Sequence, residues 1–244
     1  MNWREWTLAP CRTHHLWQGV PAYSSRYVEV GKFHEPGLAP ALDDSGAMHI
    51  SASGLPAYAE RFLRAFGFYA GRAAVQMSDG WRHVLPDGSP LTADRFGWCG
   101  NFQSGRCTVR SFHDQYYHIT LDGLPAYSAR WRYAGDFRDG LAVVQATNGL
   151  HTHVDAEGKL VHGKWFQDLG VYHKAYATAR DDAGWTHIDG AGHPLYDRRF
   201  AAAEPFYNGQ ARMVRHDGSL EVIDERGATV VELRGAQTSE FGRP

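Results

Sequence analysis

A histidine returns along this chain at a nearly constant interval. His14, His49, His83, His118, His153 and His187 are separated by 35, 34, 35, 35 and 34 residues. A period in that range is the mark of stacked or radially arranged supersecondary units, each too small to bury its hydrophobic face alone. The repeat also orders the search for function. A residue kept in every copy serves the architecture. A residue that breaks the pattern in one copy is the better candidate for chemistry.

Six copies can be written, Pro21–Leu55, Pro56–Ser89, Pro90–Leu124, Pro125–Lys159, Leu160–His193 and Pro194–Ala228. Most open on a segment such as Pro21-Ala22-Tyr23-Ser24-Ser25-Arg26-Tyr27 or Pro194-Leu195-Tyr196-Asp197-Arg198-Arg199-Phe200. An aromatic residue and a glycine follow (Phe68/Gly71, Phe102/Gly105, Phe137/Gly140, Phe206/Gly209), then a small–apolar run such as Leu141-Ala142-Val143-Val144. The run alternates with period two, which predicts a β-strand. A turn rich in Asp, Asn, Ser and Gly comes next (Ser78-Asp79-Gly80, Thr147-Asn148-Gly149), and such residues tolerate tight hairpins. The histidine strand closes the unit (Trp81-Arg82-His83-Val84, Trp185-Thr186-His187-Ile188). Each copy thus predicts about three short strands, and no segment carries a helical period.

These residues resemble the WG-repeat family. Gly80-Trp81 and Gly184-Trp185 are literal WG pairs, and an F-x-x-G-x-A-x-V step is shared among copies from about residue 14 to 227. Where such repeats often carry an aromatic, this chain carries its histidine. The resemblance implies a repeat-built β domain used for binding, which can stand beside a catalytic domain such as a methyltransferase. The expected fold is all-β, a propeller of about six small blades, with an open β-solenoid of six units as the alternative. The expected organisation is an N-terminal segment over 1–20 ending in a partial repeat, a six-copy domain over 21–228, and a tail or linker over 229–244.

Two columns carry groups capable of chemistry. Imidazoles converging on one funnel would hold a divalent metal, with His49, His83, His118, His153 and His187 as ligands. The competing reading is that each histidine bonds within its own unit. It is favoured, because Val222 stands at the histidine position of the last copy. The cationic column, Arg26, Arg61, Arg95, Arg130, Lys164 and Arg199, would bind anions if it converged. Pairing with carbonyls, acids or aromatic faces is the structural alternative.

Residues that break the repeat cluster after the opening segment. His34, Glu35, His173 and Cys99 are the candidate acid/base or nucleophilic groups. Trp98, Asn101, Asp136, Asp168 and Lys174 are candidate ligand contacts, on loops expected to share one rim.

Composition narrows the classes. A formal net charge of −2 gives no basic footprint for nucleic acid. Three cysteines, none in a CxxC pair, suit a reducing compartment. No apolar stretch suggests a signal peptide or a membrane helix, so a cytoplasmic protein is expected. No GxGxxG, Walker, HExxH or GxSxG motif is present. The expectation is a non-catalytic module that binds a small polar ligand or a protein partner through one rim, with no cofactor predicted. The alternatives are an enzyme acting on a small polar or heterocyclic metabolite, and a structural or oligomerising scaffold.

Overall fold

A computed structural model of the chain describes residues 2–235. The fold is all-β and repeat-built, of the β-propeller class expected, with seven small antiparallel sheets among the described residues where six were anticipated. The chain divides into two compact units, the first ending at Arg130 and the second starting at Trp131.

The first unit holds four sheets. The extra one comes from the N-terminal segment: β1 (Thr7–Leu8), β2 (His15–Trp17) and β3 (Val20–Pro21), preceded by a single 3-10 turn at Trp3–Glu5. The second sheet is β4 (Glu29–Val30), β5 (Leu38–Asp43) and β6 (Gly46–Ser51). The third is β7 (Arg64–Tyr69), β8 (Arg72–Met77) and β9 (Gly80–Val84), and the fourth β10 (Trp98–Cys99), β11 (Arg106–Arg110) and β12 (Tyr116–Thr120). In the second unit, the fifth sheet is β13 (Tyr133–Ala134), β14 (Leu141–Gln145) and β15 (His151–Asp155). The sixth is β16 (Asp168–Leu169), β17 (Ala177–Asp181) and β18 (Gly184–Ile188). The seventh is β19 (Ala202–Ala203), β20 (Gln210–Val214), β21 (Leu220–Asp224) and β22 (Thr229–Arg234). The segment anticipated as a tail therefore begins as a strand. Its remainder, 236–244, lies outside the described residues.

The small–apolar run is buried on both faces. Ala73 and Val75 face a core shared with Leu38, Ala47, Phe62 and Phe68, while Ala74 between them faces Phe96, Phe102, Cys107 and Val109. A sheet covered on both sides needs small residues where the next sheet approaches, which is why alanine and threonine recur there. Each large side chain so buried contributes about 1.5–3 kcal/mol.

The opening segment solves the edge problem. In the second copy, Pro56 and Phe62 bridge back to Ile50 and Ala47 on β6, so the loop between them lies along the outer edge of that strand. Pro90/Phe96 on β9 and Pro194/Phe200 on β18 repeat the pattern. A free strand edge invites foreign pairing, and here the next repeat covers it. In the seventh sheet β22 takes that place as a full strand.

Candidate functional site

His49, His83, His153 and His187 face from the third strand of one sheet toward the next. His49 sits opposite Pro40, His83 opposite Ala74 and His187 opposite Thr178, so a small or compact residue always makes room for the ring. The Nε2 of His49 bonds the Phe66 carbonyl at 2.7 Å, that of His153 the Gly170 carbonyl at 2.9 Å, and that of His187 the Glu204 carbonyl at 2.8 Å. Each acceptor lies on the following sheet. A carbonyl oxygen only accepts, so Nε2 carries the proton and Nδ1 is left as acceptor. That acceptor takes a tyrosine hydroxyl: Tyr58 for His49, Tyr127 for His118 and Tyr196 for His187 (2.5 Å). In the fifth copy His162 replaces the tyrosine and donates from Nε2 to Nδ1 of His153 at 3.0 Å. An aromatic ring closes over each imidazole, with centroids 4.6 Å apart for His49–Phe68 and 4.0 Å for His187–Phe206. Burial pushes His49, His83, His153 and His187 down to about 4, so they are neutral near pH 7.

These bonds are structural, as expected, but they correct the expectation that each histidine bonds within its own unit: Tyr58 and Phe66 belong to the copy after that of His49, and Tyr196 and Glu204 to the copy after that of His187. The candidate ligands His49, His83, His118, His153 and His187 each stand in a separate sheet, and His49, His83, His153 and His187 each bond a carbonyl at the next one. Among the described residues no group of three or more His, Cys, Asp or Glu side chains is arranged to hold a metal ion. The member of the column in the first sheet is His15, not His14. His15 bonds Tyr23 at 2.6 Å and the Gly31 carbonyl at 2.9 Å, while His14 reaches only Thr13 and Cys11. Adjacent strand residues face opposite sides, so a one-residue shift decides the matter.

The cations do not converge on a ligand. Nη1 of Arg26 donates to the carbonyls of Tyr23, Ser24 and Ser25 at 3.0, 2.9 and 2.9 Å. Arg61, Arg130 and Arg199 bind three carbonyls of their own opening segments in the same way. Arg95 and Arg199 also reach the preceding hairpin, at Asp79 (3.0 Å) and Asp181 (2.7 Å). The column holds the edge-covering loops in shape.

A different feature has the form of a site. A cleft of about 630 Å³ opens in the first unit between the second and third sheets. One wall is Glu29, Gly31, Lys32 and His34 with Pro40–Leu42, and the other is Leu63–Gly67 with Tyr69. Arg12 stands at its margin, paired with Glu29 at 2.8 Å. Its apolar lining is exposed: Leu63 is 60%, Phe66 41% and Tyr69 37% accessible. Phe66 occupies the position that is Gly31, Gly100, Gly135 and Gly170 in other copies. It interrupts the register of β7 with β8 and lies 5.6 Å from the Trp81 ring. Gly67 follows, and its missing side chain admits the His34 imidazole, which also packs 4.8 Å from Tyr69. Burial and the nearby Lys32 charge hold His34 below the usual imidazole range. Among the described residues, no carboxylate engages Lys32 or Arg64.

The predicted site residues fare unequally. His34 lines the cleft. Glu35, its neighbour in sequence, turns away to an ion pair with Arg4 and does not join it. Cys99 is packed among Phe96, Phe102 and Val109, and burial pushes its thiol up, so it is not an activated nucleophile. Trp98 is half-exposed on β10, 6.5 Å from the Tyr116 ring, and Asn101 is partly buried beyond it. Neither lines the cleft. In the second unit, Asp136, Asp168 and Lys174 are exposed and His173 is half-buried. An Asp168 carboxylate oxygen accepts the Leu169 amide at 2.8 Å, and the His173 amide donates to the Tyr176 carbonyl. Lys32, Leu63, Arg64, Phe66 and Tyr69 were missed. Their signal was in the alignment of copies, where a phenylalanine replaces a glycine.

No helix among the described residues is long and apolar enough to cross a membrane. No protein-family model and no curated protein sequence matches the chain. Among solved structures it is similar to BamB from Moraxella catarrhalis, with 12% identity, a TM-score of 0.48, and coverage of 90% of this chain and 80% of that one. It is similar to Hsv2p of Kluyveromyces lactis at 10% identity and a TM-score of 0.44, covering 82% of this chain and 81% of that one. It is also similar to the WD40 β-propeller domain of Doa1 at 12% identity and a TM-score of 0.35, covering 84% of this chain and 78% of that one.

Proposed function

We propose that the chain is a binding module of WG-repeat type whose ligand seats in the cleft between the second and third sheets. The observation that carries this reading is the meeting of repeat-breaking residues there. Phe66 stands where four other copies have glycine and the last has Glu204, and Lys32 and Arg64 sit beside it. Architecture does not require these side chains, because the other copies fold without them. Pockets of about 300–1,000 Å³ with an apolar lining and a few polar groups are the usual form of a small-molecule site. The reading takes the cytoplasm as its compartment, supported by three free cysteines, and allows a separate or fused catalytic domain as neighbour.

The experiment is a metabolite screen by thermal shift on the full chain and on Phe66→Gly, which restores the residue of four other copies. Hits that raise the melting temperature of the parent chain are expected to lose that effect in the variant. Hits that stabilise both proteins equally place the ligand elsewhere and sink the proposal.

A further inference from the structure

The geometry points to one chemical class for the occupant of this cleft: a small organic anion that carries a planar ring. The inference rests on the binding reading above and adds the ligand's charge and shape. Glu29 is already neutralised by Arg12 at 2.8 Å. Lys32 and Arg64, on opposite walls, have no carboxylate partner among the described residues, so the cleft carries two uncompensated positive charges. Burial and the Lys32 charge lower the His34 imidazole from its ordinary range, which disfavours a third charge there. Guanidinium and ammonium groups on either side of one opening favour a carboxylate, sulfonate or phosphate between them. Beside them Phe66 and Tyr69 present exposed ring surface, on which a planar ligand gains by stacking and by leaving water. The backbone contributes little competing polarity: Gly31 N–H is used by the Pro40 carbonyl at 2.8 Å, and the Phe66 carbonyl is used by His49. A neutral sugar would find few free hydrogen-bonding groups, and an inorganic anion would leave the rings in water.

A matched pair of fluorescent probes tests this. Anilinonaphthalene sulfonate carries the ring and the anion, and phenylnaphthylamine carries the same rings without the sulfonate. Titration into the full chain is expected to give at least about tenfold tighter binding for the sulfonate. Lys32→Glu and Arg64→Glu are each expected to weaken the sulfonate by about tenfold and to leave the neutral probe unchanged. Both positions are exposed and unpaired, so the variants should fold, as circular dichroism will check. Lys159→Glu, the same charge change in a turn of the fifth sheet, is expected to have no effect. Equal affinity for the two probes, no binding of either, or indifference to both substitutions overturns the anion assignment. Phe66→Gly separates the two levels. If it abolishes binding of both probes while charge has no influence, the cleft reading stands and the ligand class falls. If it changes neither probe's binding, the cleft reading falls as well. Tighter binding of a blocked acidic-aromatic peptide, sensitive to the same two charges, overturns the small-molecule assignment in favour of a protein segment.

Discussion

His15, His49 and His187 use both ring nitrogens, one to a carbonyl at the next sheet and one to a tyrosine hydroxyl, and His153 does the same with His162 in the tyrosine's place. The third copy departs from this. Thr92 stands where Tyr23, Tyr58, Tyr127 and Tyr196 stand, and the buried Nδ1 of His83 has no partner among the described residues. A buried acceptor without a donor costs about 1–3 kcal/mol. Thr92→Tyr is therefore expected to stabilise the chain by about 1 kcal/mol, read as a higher denaturant midpoint at unchanged slope. No gain would mean that water already serves His83. Conversely, Tyr196→Phe strips the donor from His187 and is expected to destabilise by about 1–3 kcal/mol in the same assay.

The element that makes this repeat work is the opening loop laid along a strand edge. Its arginine satisfies the loop carbonyls, and its tyrosine ring packs against the glycine of the turn that ends the copy. Gly88 shows the constraint. Its φ is +84°, and a Cβ there would lie 2.6 Å from the Tyr58 ring. Gly71 has a similar φ of +75° with open space around it. Gly71→Ala is expected to cost only backbone strain, about 1 kcal/mol, and Gly88→Ala clearly more, because Tyr58 must also leave His49. Equal losses in the two melting curves would show that the ring contact contributes nothing.

At the scale of the whole molecule the neutral histidines link folding to pH. His49, His83, His153 and His187 have folded values of about 4 against an ordinary 6.5. The unfolded chain therefore takes up protons below about pH 6.5 that the folded chain refuses until about pH 4. Stability is full above that window and falls through it, by up to about 1.4 kcal/mol per pH unit for each histidine. Native stabilities are commonly about 5–15 kcal/mol, so cooperative acid unfolding is expected above pH 4, with uptake of several protons. A circular dichroism midpoint well below pH 4 would contradict it. Much of this architecture was legible in the residues. The interval between histidines, the alternating runs and the turn residues determined an all-β chain of small repeated sheets, because strand alternation and turn geometry are local. The first sheet was legible only as a partial repeat at the end of the segment 1–20. The residues preceding Pro21 complete three strands only when Thr7–Leu8 pairs with His15–Trp17, a contact across a loop. The role of the histidines was equally hidden, since their carbonyl partners lie 17 residues on, in another sheet. The cleft was the least visible, because Lys32, His34, Arg64 and Phe66 become one surface only when two sheets face each other. Sequence specifies each unit and its edges, and the packing of one sheet against the next decides which odd residues meet.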